Sequence, residues 1–392
     1  MTQAQTASGF GFGGLGGNPY PVFEQLRKNM PVTRMGDGGF WAVSRHEDVV
    51  RILRDPDTFS SIVSAKAIAG DVQPSMLFND PPMHTRLRSL IAKAFTPRVV
   101  EQQRPAISEY CERLVGAMCA KDEADLVLEL AYPLPVMVIA NMLGVADGDL
   151  ATFKRWSDEI IENLGPVMIS GDDSAMAATN AEFNEYFEAR LEKLRGEPED
   201  NLLTELVNVE TDEGRLTQDE LLMFCRLLLV AGNETTTGLI VNSVRAFAEF
   251  PEVYERVRRE PKLIHSATEE SLRYYAPFPA TIRRAAHDVE VAGTTIPAGD
   301  RILVLLGSAN RDETVFERPN EFIPDRSPNR HVAFGMGIHY CVGAPLARLE
   351  GEIAIRALAG RVRHFHIGET DPAALMRPGG PKSLMVQLER EA

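Results

Sequence analysis

The stretch His331-Val-Ala-Phe-Gly-Met-Gly-Ile-His-Tyr-Cys341-Val-Gly343 sets three glycines, Gly335, Gly337 and Gly343, around one cysteine. It runs directly into Ala344-Pro-Leu-Ala-Arg-Leu-Glu-Gly-Glu-Ile-Ala-Ile-Arg356, which has strong helix character. Glycines at this density let backbone amides turn inward where a side chain would block them. A sulfur placed just ahead of a helix start feels the positive end of the helix dipole, which favours its thiolate form. Such a loop suits an exposed, amide-bonded thiolate facing a bulky partner, a haem iron among others. A tight turn around a buried thiol is the plainer alternative.

Outward from this loop, the bulk properties narrow the field. The chain has 392 residues, 44% of them apolar, enough for a sizeable core in one large domain or two. A formal charge of −15 argues against a nucleic-acid partner. No apolar run approaches the ~18 residues of a membrane span. The start, Met1-Thr-Gln-Ala-Gln-Thr-Ala-Ser, lacks the basic-then-apolar order of a secretory signal, and the four cysteines show no Cys-x-x-Cys spacing. A cytoplasmic protein is the expectation. Cys111 and Cys119 fall inside a helical pattern and are expected in the core.

Gly9 to Gly17 is glycine-rich enough to predict a flexible tail over residues 1–17, with order beginning at Asn18. Helices are expected from Val22 to Lys28 and from His46, with a strand at Phe40-Trp-Ala-Val-Ser between them. Residues 60–79 are mostly apolar but aperiodic, either an ill-patterned helix or a loop that closes over something apolar. Asn79-Asp80-Pro81-Pro82 predicts a helix start with Asp80 as N-cap, followed by His84 and Arg88 on one face. Arg86, Lys93 and Arg98 make this stretch basic, a docking patch for an acidic donor or simply solvated charge. Helical patterns continue to residue 209, with Val167-Met-Ile-Ser-Gly as an apolar break between two of them.

Thr217-Gln-Asp-Glu220 has the form of a capping box, and the apolar pattern after it predicts a buried helix of about 32 residues, stopped by Pro251. Mid-helix lies Ala231-Gly232-Asn233-Glu234-Thr235-Thr236. A glycine there costs about 1 kcal/mol relative to alanine, and an acid costs more unless it is paired. The hydroxyls that follow can bond back to carbonyls one turn earlier and open the helix. A packing helix gains nothing obvious from this cluster. A site that holds a diatomic ligand and passes protons to it gains room, a hydrogen bond from Thr235 and a proton relay in Glu234. Further on, Glu270 and Arg273 sit three apart on a helix ending before Pro277. Val289-Glu-Val, Thr294-Thr-Ile and Arg301-Ile-Leu-Val-Leu-Leu read as one small antiparallel sheet.

The pattern Phe-Gly-x-Gly-x-x-x-Cys-x-Gly, complete from Phe334 to Gly343, resembles the haem-binding loop of the cytochrome P450 family. Asp80-Pro-Pro-x-His84-Thr-x-x-Arg88, Ala231-Gly-x-Glu234-Thr235 and Glu270-x-x-Arg273 resemble three further motifs of that family, in family order. The resemblance implies a mainly α fold, a single large helical domain over residues 18–392 with small antiparallel β-sheets enclosing a haem. It implies haem b as cofactor, with Cys341 as the axial ligand of its iron. Phe334, Gly335, Ala231 and Gly343 lie against the haem, and His84, Arg88, Arg283 (favoured over Arg284) and His339 bind its propionates. Glu234 and Thr235 become the catalytic pair. Glu270 and Arg273 join a third basic residue in a buried ion-pair network. The chain has Glu321 where many members have arginine, so the third place falls to Arg326, with Arg318 as the alternative. Leu77, Leu227, Val230, Ala231, Phe278, Ala280 and Leu384 are assigned to the substrate pocket.

The activity implied is that of a haem-thiolate monooxygenase. It takes two electrons from NAD(P)H through a separate ferredoxin and ferredoxin reductase and activates O2. It then hydroxylates or epoxidises a hydrophobic small molecule such as a terpenoid, steroid, fatty acid or polyketide. A monomer is expected, without nucleic-acid or membrane partners. A peroxide-dependent haem-thiolate enzyme is the alternative among enzymes, disfavoured by the Glu234–Thr235 pair. A ligand-sensing haem protein and a Cys341–His339 hydrolase are the alternatives outside it.

Overall fold

The computed structural model describes residues 18–35, 40–68, 74–212, 214–371, 374–377 and 379–390. The tail over residues 1–17 lies outside them, as do residues 69–73 of the aperiodic segment. Two compact units emerge, Met1–Phe59 with Pro105–Pro135 and Glu234–Ala392, and Ser60–Arg104 with Val136–Asn233.

The first unit carries the sheets. Val32–Met35 runs antiparallel to Phe40–Val43, and Arg301–Val304 lies parallel to Phe40–Val43 on its other side. Thr281–Ala285 then pairs antiparallel with Arg301–Val304, setting Arg283 opposite Ile302. The expected sheet of three strands is therefore split. Val289–Val291 and Thr294–Ile296 form their own hairpin through Ala292 and Gly293, both at positive φ, while Arg301–Val304 pairs elsewhere. Two-residue turns of that backbone suit the twist of a hairpin. A second sheet joins Val362–Ile367, Met385–Arg390 and Glu123–Asp125, all antiparallel. Apolar side chains from Val43, Ile52, Phe59, Ile296, Ile302 and Val332 form a common core. Each such side chain contributes roughly 1.5–3 kcal/mol when fully buried.

The second unit is helical. Leu150–Ser170 and Ala177–Gly196 meet through Trp156, Phe183 and Phe187, whose rings pack 4.5–5.5 Å apart. The expected break at Val167 does not occur. The helix continues to Ser170 and ends at Gly171, whose φ of 74° provides the left-handed cap that stops it. Asp80 is not an N-cap either. The helix begins later, at Met83, and the Asp80 carboxylate accepts hydrogen bonds from Ser60 Oγ (2.6 Å) and the Ser61 amide (2.8 Å). Its task is to tie down the aperiodic segment, within which Ala65–Ile68 forms a short helix. The basic stretch is partly neutralised: Arg86 holds Glu220 at 2.5 Å, and Lys93 donates to the Glu210 carbonyl.

The long helix runs from Gln218 to Glu249, 32 residues. Its capping box is formed at both ends, Thr217 N–H donating to Glu220 (2.8 Å) and Glu220 N–H to the Thr217 hydroxyl (3.3 Å). No helix among the described residues is long and apolar enough to cross a membrane.

Candidate active site

The cysteine loop belongs to the first unit and is shaped by its glycines. Gly335 and Gly337 both take φ near 68°, the left-handed region that L side chains avoid. Gly337 is tied to its residue type a second time, because a Cβ there would lie 2.4 Å from the carbonyl oxygen of Leu53. With the loop reversed in this way, the Cys341 amide donates to the Phe334 carbonyl at 2.9 Å, and helix Ala344–Ala359 begins three residues later. Cys341 is exposed, whereas Cys111, Cys119 and Cys225 are buried. Burial pushes the thiols of Cys111 and Cys225 up to about 12, so neither is a ready ligand.

Behind the loop, the Arg348 guanidinium stacks 4.6 Å from the Phe334 ring and donates to the Tyr340 hydroxyl at 3.2 Å. Arg348 and His331 both hold Glu269, at 2.7 and 3.2 Å. Burial alone would raise the Glu269 carboxyl, but these two partners bring it down to about 2. Neither Glu269 nor Arg348 stood out in the sequence; an acid and a base 79 residues apart carry no local signal.

On the long helix, Glu234 and Thr235 are both half-buried and adjacent. Burial pushes the Glu234 carboxyl up to about 7, with the Arg377 charge acting in the opposite sense. A carboxyl near neutrality can both take and give a proton at working pH. The helix is unbroken here, contrary to the expected opened turn. The Thr237 hydroxyl donates instead to the carbonyl of Ala131 on a separate segment (3.0 Å). Part of the cluster also serves packing after all. A Cβ on Gly232 would meet Ile139 at 2.7 Å, and buried Asn233 donates to Ser157 Oγ at 3.0 Å.

Arg283 is the buried member of the Arg283–Arg284 pair and donates to its neighbouring carbonyl at Ile282 (2.7 Å). His339 is half-buried in the short turn Gly337–His339. Glu270 and Arg273 are fully buried and meet in two parallel bonds of 2.8 Å. Arg326 adds its Nε to both Glu270 oxygens, at 3.0 and 3.1 Å. Arg318 is exposed and pairs with Glu321, so it is outside the network. The Glu321 side chain takes no part, but its carbonyl accepts from Arg273 at 2.9 Å. Phe278 and Ala280 are half-buried on the approach to Thr281–Ala285. Leu384, assigned to substrate, is 1% exposed; its amide donates to the Asp125 carboxylate (3.1 Å) and its carbonyl accepts from the Leu126 amide (2.9 Å).

The second unit carries the remaining candidates. His84 is buried and Arg88 half-buried one turn apart on helix Met83–Ala94. Leu227, Val230 and Ala231 lie on the first half of the long helix, with Ala231 exposed and Val230 buried. Leu77 is exposed.

These residues fit the implied haem. The accessible sulfur is the soft donor an iron porphyrin takes, and a Cβ on Gly335 would find nothing nearer than 3.7 Å, leaving an open face beside it. The Arg283 guanidinium supplies a buried positive charge suited to a carboxylate.

Comparison with known proteins agrees with this chemistry. The family model described as Cytochrome P450 matches residues 8–372. The chain is 39% identical to a putative cytochrome P450, YjiB, of Bacillus subtilis, over 95% of this chain and 94% of that protein. It is 40% identical to the cytochrome P450 monooxygenase PikC of Streptomyces venezuelae, over 88% and 84%. Among solved structures, CYP109Q5 from Chondromyces apiculatus superposes with a TM-score of 0.86 at 37% identity, covering 95% of this chain and 96% of that one. CYP109E1 from Bacillus megaterium, solved in complex with testosterone, gives 0.85 at 35% identity, covering 95% and 99%.

Proposed function

The chain belongs to the cytochrome P450 family, a monooxygenase with that fold and with haem b as cofactor, and from this premise we propose how its own residues divide the work. Bound haem b supplies oxygen activation, and thiolate ligation favours cleavage of the O–O bond. Cys341 is the thiolate. The observation that carries this reading is its exposure on a glycine-shaped loop at the start of helix Ala344–Ala359, while the other three cysteines are buried. His84, Arg88, Arg283 and His339 are assigned to the propionates, and Phe334, Gly335, Gly343 and Ala231 to contact with the ring. Glu270, Arg273 and Arg326 brace the segment that precedes the loop.

Inserting one oxygen atom into substrate and reducing the other to water consumes two electrons and two protons. Glu234 shuttles those protons, and Thr235 donates the hydrogen bond that directs them. Electrons are proposed to come from NAD(P)H through a ferredoxin and its reductase in the cytoplasm. The substrate is a hydrophobic small molecule held by Leu77, Leu227, Val230, Ala231, Phe278, Ala280 and Leu384. Because CYP109E1 has been solved with testosterone and with corticosterone, a steroid is the first candidate to try.

The test is the optical spectrum of the reduced protein with carbon monoxide, beside that of Cys341→His. A far-red-shifted Soret band in the wild type, lost in the variant, is expected. An ordinary haem–CO band in the wild type would remove Cys341 from the iron. Titration with testosterone should shift the ferric spectrum toward high spin if steroids are bound; an unmoved spectrum rejects this class.

A further inference from the structure

The C-terminal segment contains a turn that no motif explains. The Gly380 amide donates to the Arg377 carbonyl at 2.9 Å, and Gly379 and Gly380 both take positive φ, 76° and 87°. The Gly379 amide also donates to the Pro277 carbonyl at 3.2 Å, fixing the turn to the chain that leaves helix Ile264–Tyr274. Gly379 lies directly on the long helix. A Cβ there would stand 2.2 Å from Glu234 Cγ, 3.0 Å from its Cδ and 3.1 Å from its carbonyl oxygen. One turn further on, a Cβ on Gly238 would meet the Gly379 Cα at 3.2 Å and Pro277 Cβ at 3.1 Å. Two glycines on facing segments, Gly379 and Gly238, thus let the turn and the helix approach this closely. The contact covers the Glu234 side chain along its stem.

Arg377 opens the same turn and is exposed. Its charge acts on the Glu234 carboxyl against the effect of burial. A solvent-exposed cation of this kind acts through a screened field, so its influence is moderate and depends on salt.

We propose that Gly379 is a positioning residue for Glu234 and that Arg377, on the same turn, is the cation that governs when Glu234 holds its proton. The proposal rests on the relay role given to Glu234 above. The turn presses the acid into one rotamer and excludes water from its stem, and burial there keeps the carboxyl protonated near neutral pH. Arg377 opposes that tendency and lets the acid release its proton. A relay needs both halves of this balance, since a group that only holds or only releases passes nothing on.

Two readouts on the holoenzyme test the turn and the relay separately. The first is an infrared pH titration of the protonated carboxyl band that disappears in Glu234→Gln. Arg377→Gln should move its midpoint up by roughly half a pH unit, and Arg377→Lys should restore it. Gly379→Ala should shift the band's frequency, because the added methyl and the positive φ force either the turn or the acid to move. The second readout is peroxide released per NADH consumed with a surrogate ferredoxin, its reductase and testosterone as probe. Gly379→Ala should raise that ratio several-fold, while the carbon monoxide band stays as in the wild type. An unmoved titration in Arg377→Gln together with an unshifted band in Gly379→Ala overturns the proposal, whatever the peroxide ratio. Should Gly379→Ala fail to incorporate haem, the Arg377→Gln midpoint alone decides. If Glu234→Gln leaves the peroxide ratio unchanged, the relay role falls, and the infrared result still judges the turn.

Discussion

Two carboxyl groups of the first unit are equally buried and differently treated. Glu270 meets Arg273, Arg326, the Ile323 amide and Asn329, so each of its oxygens has several donors. Glu350, on helix Ala344–Ala359, has no hydrogen-bond partner for either oxygen among the described residues. Burial raises its carboxyl well above the ordinary value. The two acids thus share burial and differ in the donors around them. Glu270 is built into a brace of three charged side chains, while Glu350 behaves as a neutral polar group in an apolar setting. Glu234 stands between them, covered along its stem by Gly379 and acted on by the Arg377 charge.

The comparison can be broken most severely at Arg273. Arg273→Ala leaves the Glu270 carboxyl buried with its main partner gone, and a loss of about 3–5 kcal/mol is expected. Chemical unfolding of the holoenzyme would register this as a large drop in midpoint, with poor haem retention. Arg326→Ala removes one charged donor set and leaves the 2.8 Å pair intact, so about 1.5–3 kcal/mol should be lost. If the two losses are equal, Arg326 is as central as Arg273 and the hierarchy drawn here is wrong.

Glu350 sharpens the contrast through pH. The unfolded chain ionises it near the ordinary 4.5, whereas the folded chain keeps its proton to well above that value. Its unfavourable contribution is absent below the ordinary value and grows as pH rises toward the folded one. The slope reaches at most about 1.4 kcal/mol per pH unit. Thermal melts of Glu350→Gln should match the wild type at pH 4.5 and exceed it progressively toward pH 7. A constant difference across that range would show Glu350 ionised in the fold. The smallest effect belongs to Arg318→Ala, an exposed pair with Glu321 worth about 0–1 kcal/mol. A melt indistinguishable from the wild type is the expected result.

What could be read from sequence follows the reach of the interactions. The cysteine loop, the capping box at Thr217 and Glu220 and the 32-residue helix are set by neighbours within a turn or two, and their patterns were visible. Arg326 was favoured over Arg318 from the family pattern. The errors lie where a distant partner decides. Asp80 looks like a cap until Ser60 and Ser61 claim its carboxylate. Gly232 looks like a functional flaw in a helix until Ile139 is seen against it. Arg301–Val304 follows a hairpin in sequence, yet its partners are Phe40–Val43 and Thr281–Ala285. The turn at Gly379 belongs to no motif, and its contact with Glu234 carries no sequence signal, since nothing local links the two.

The fit of Gly337 against the Leu53 carbonyl also bears on the order in which the chain is made. Helix His46–Arg54 leaves the ribosome early, and the loop that must lie against it comes near the end. At about 5–20 residues per second, the interval is on the order of tens of seconds. Throughout that time the helix end waits with its docking surface uncovered, and Cys341 cannot be presented in its final geometry. With Cys341 as the proposed ligand, haem capture falls in the last stage of biosynthesis, and a nascent chain stalled before Gly337 would display the receiving surface without that cysteine.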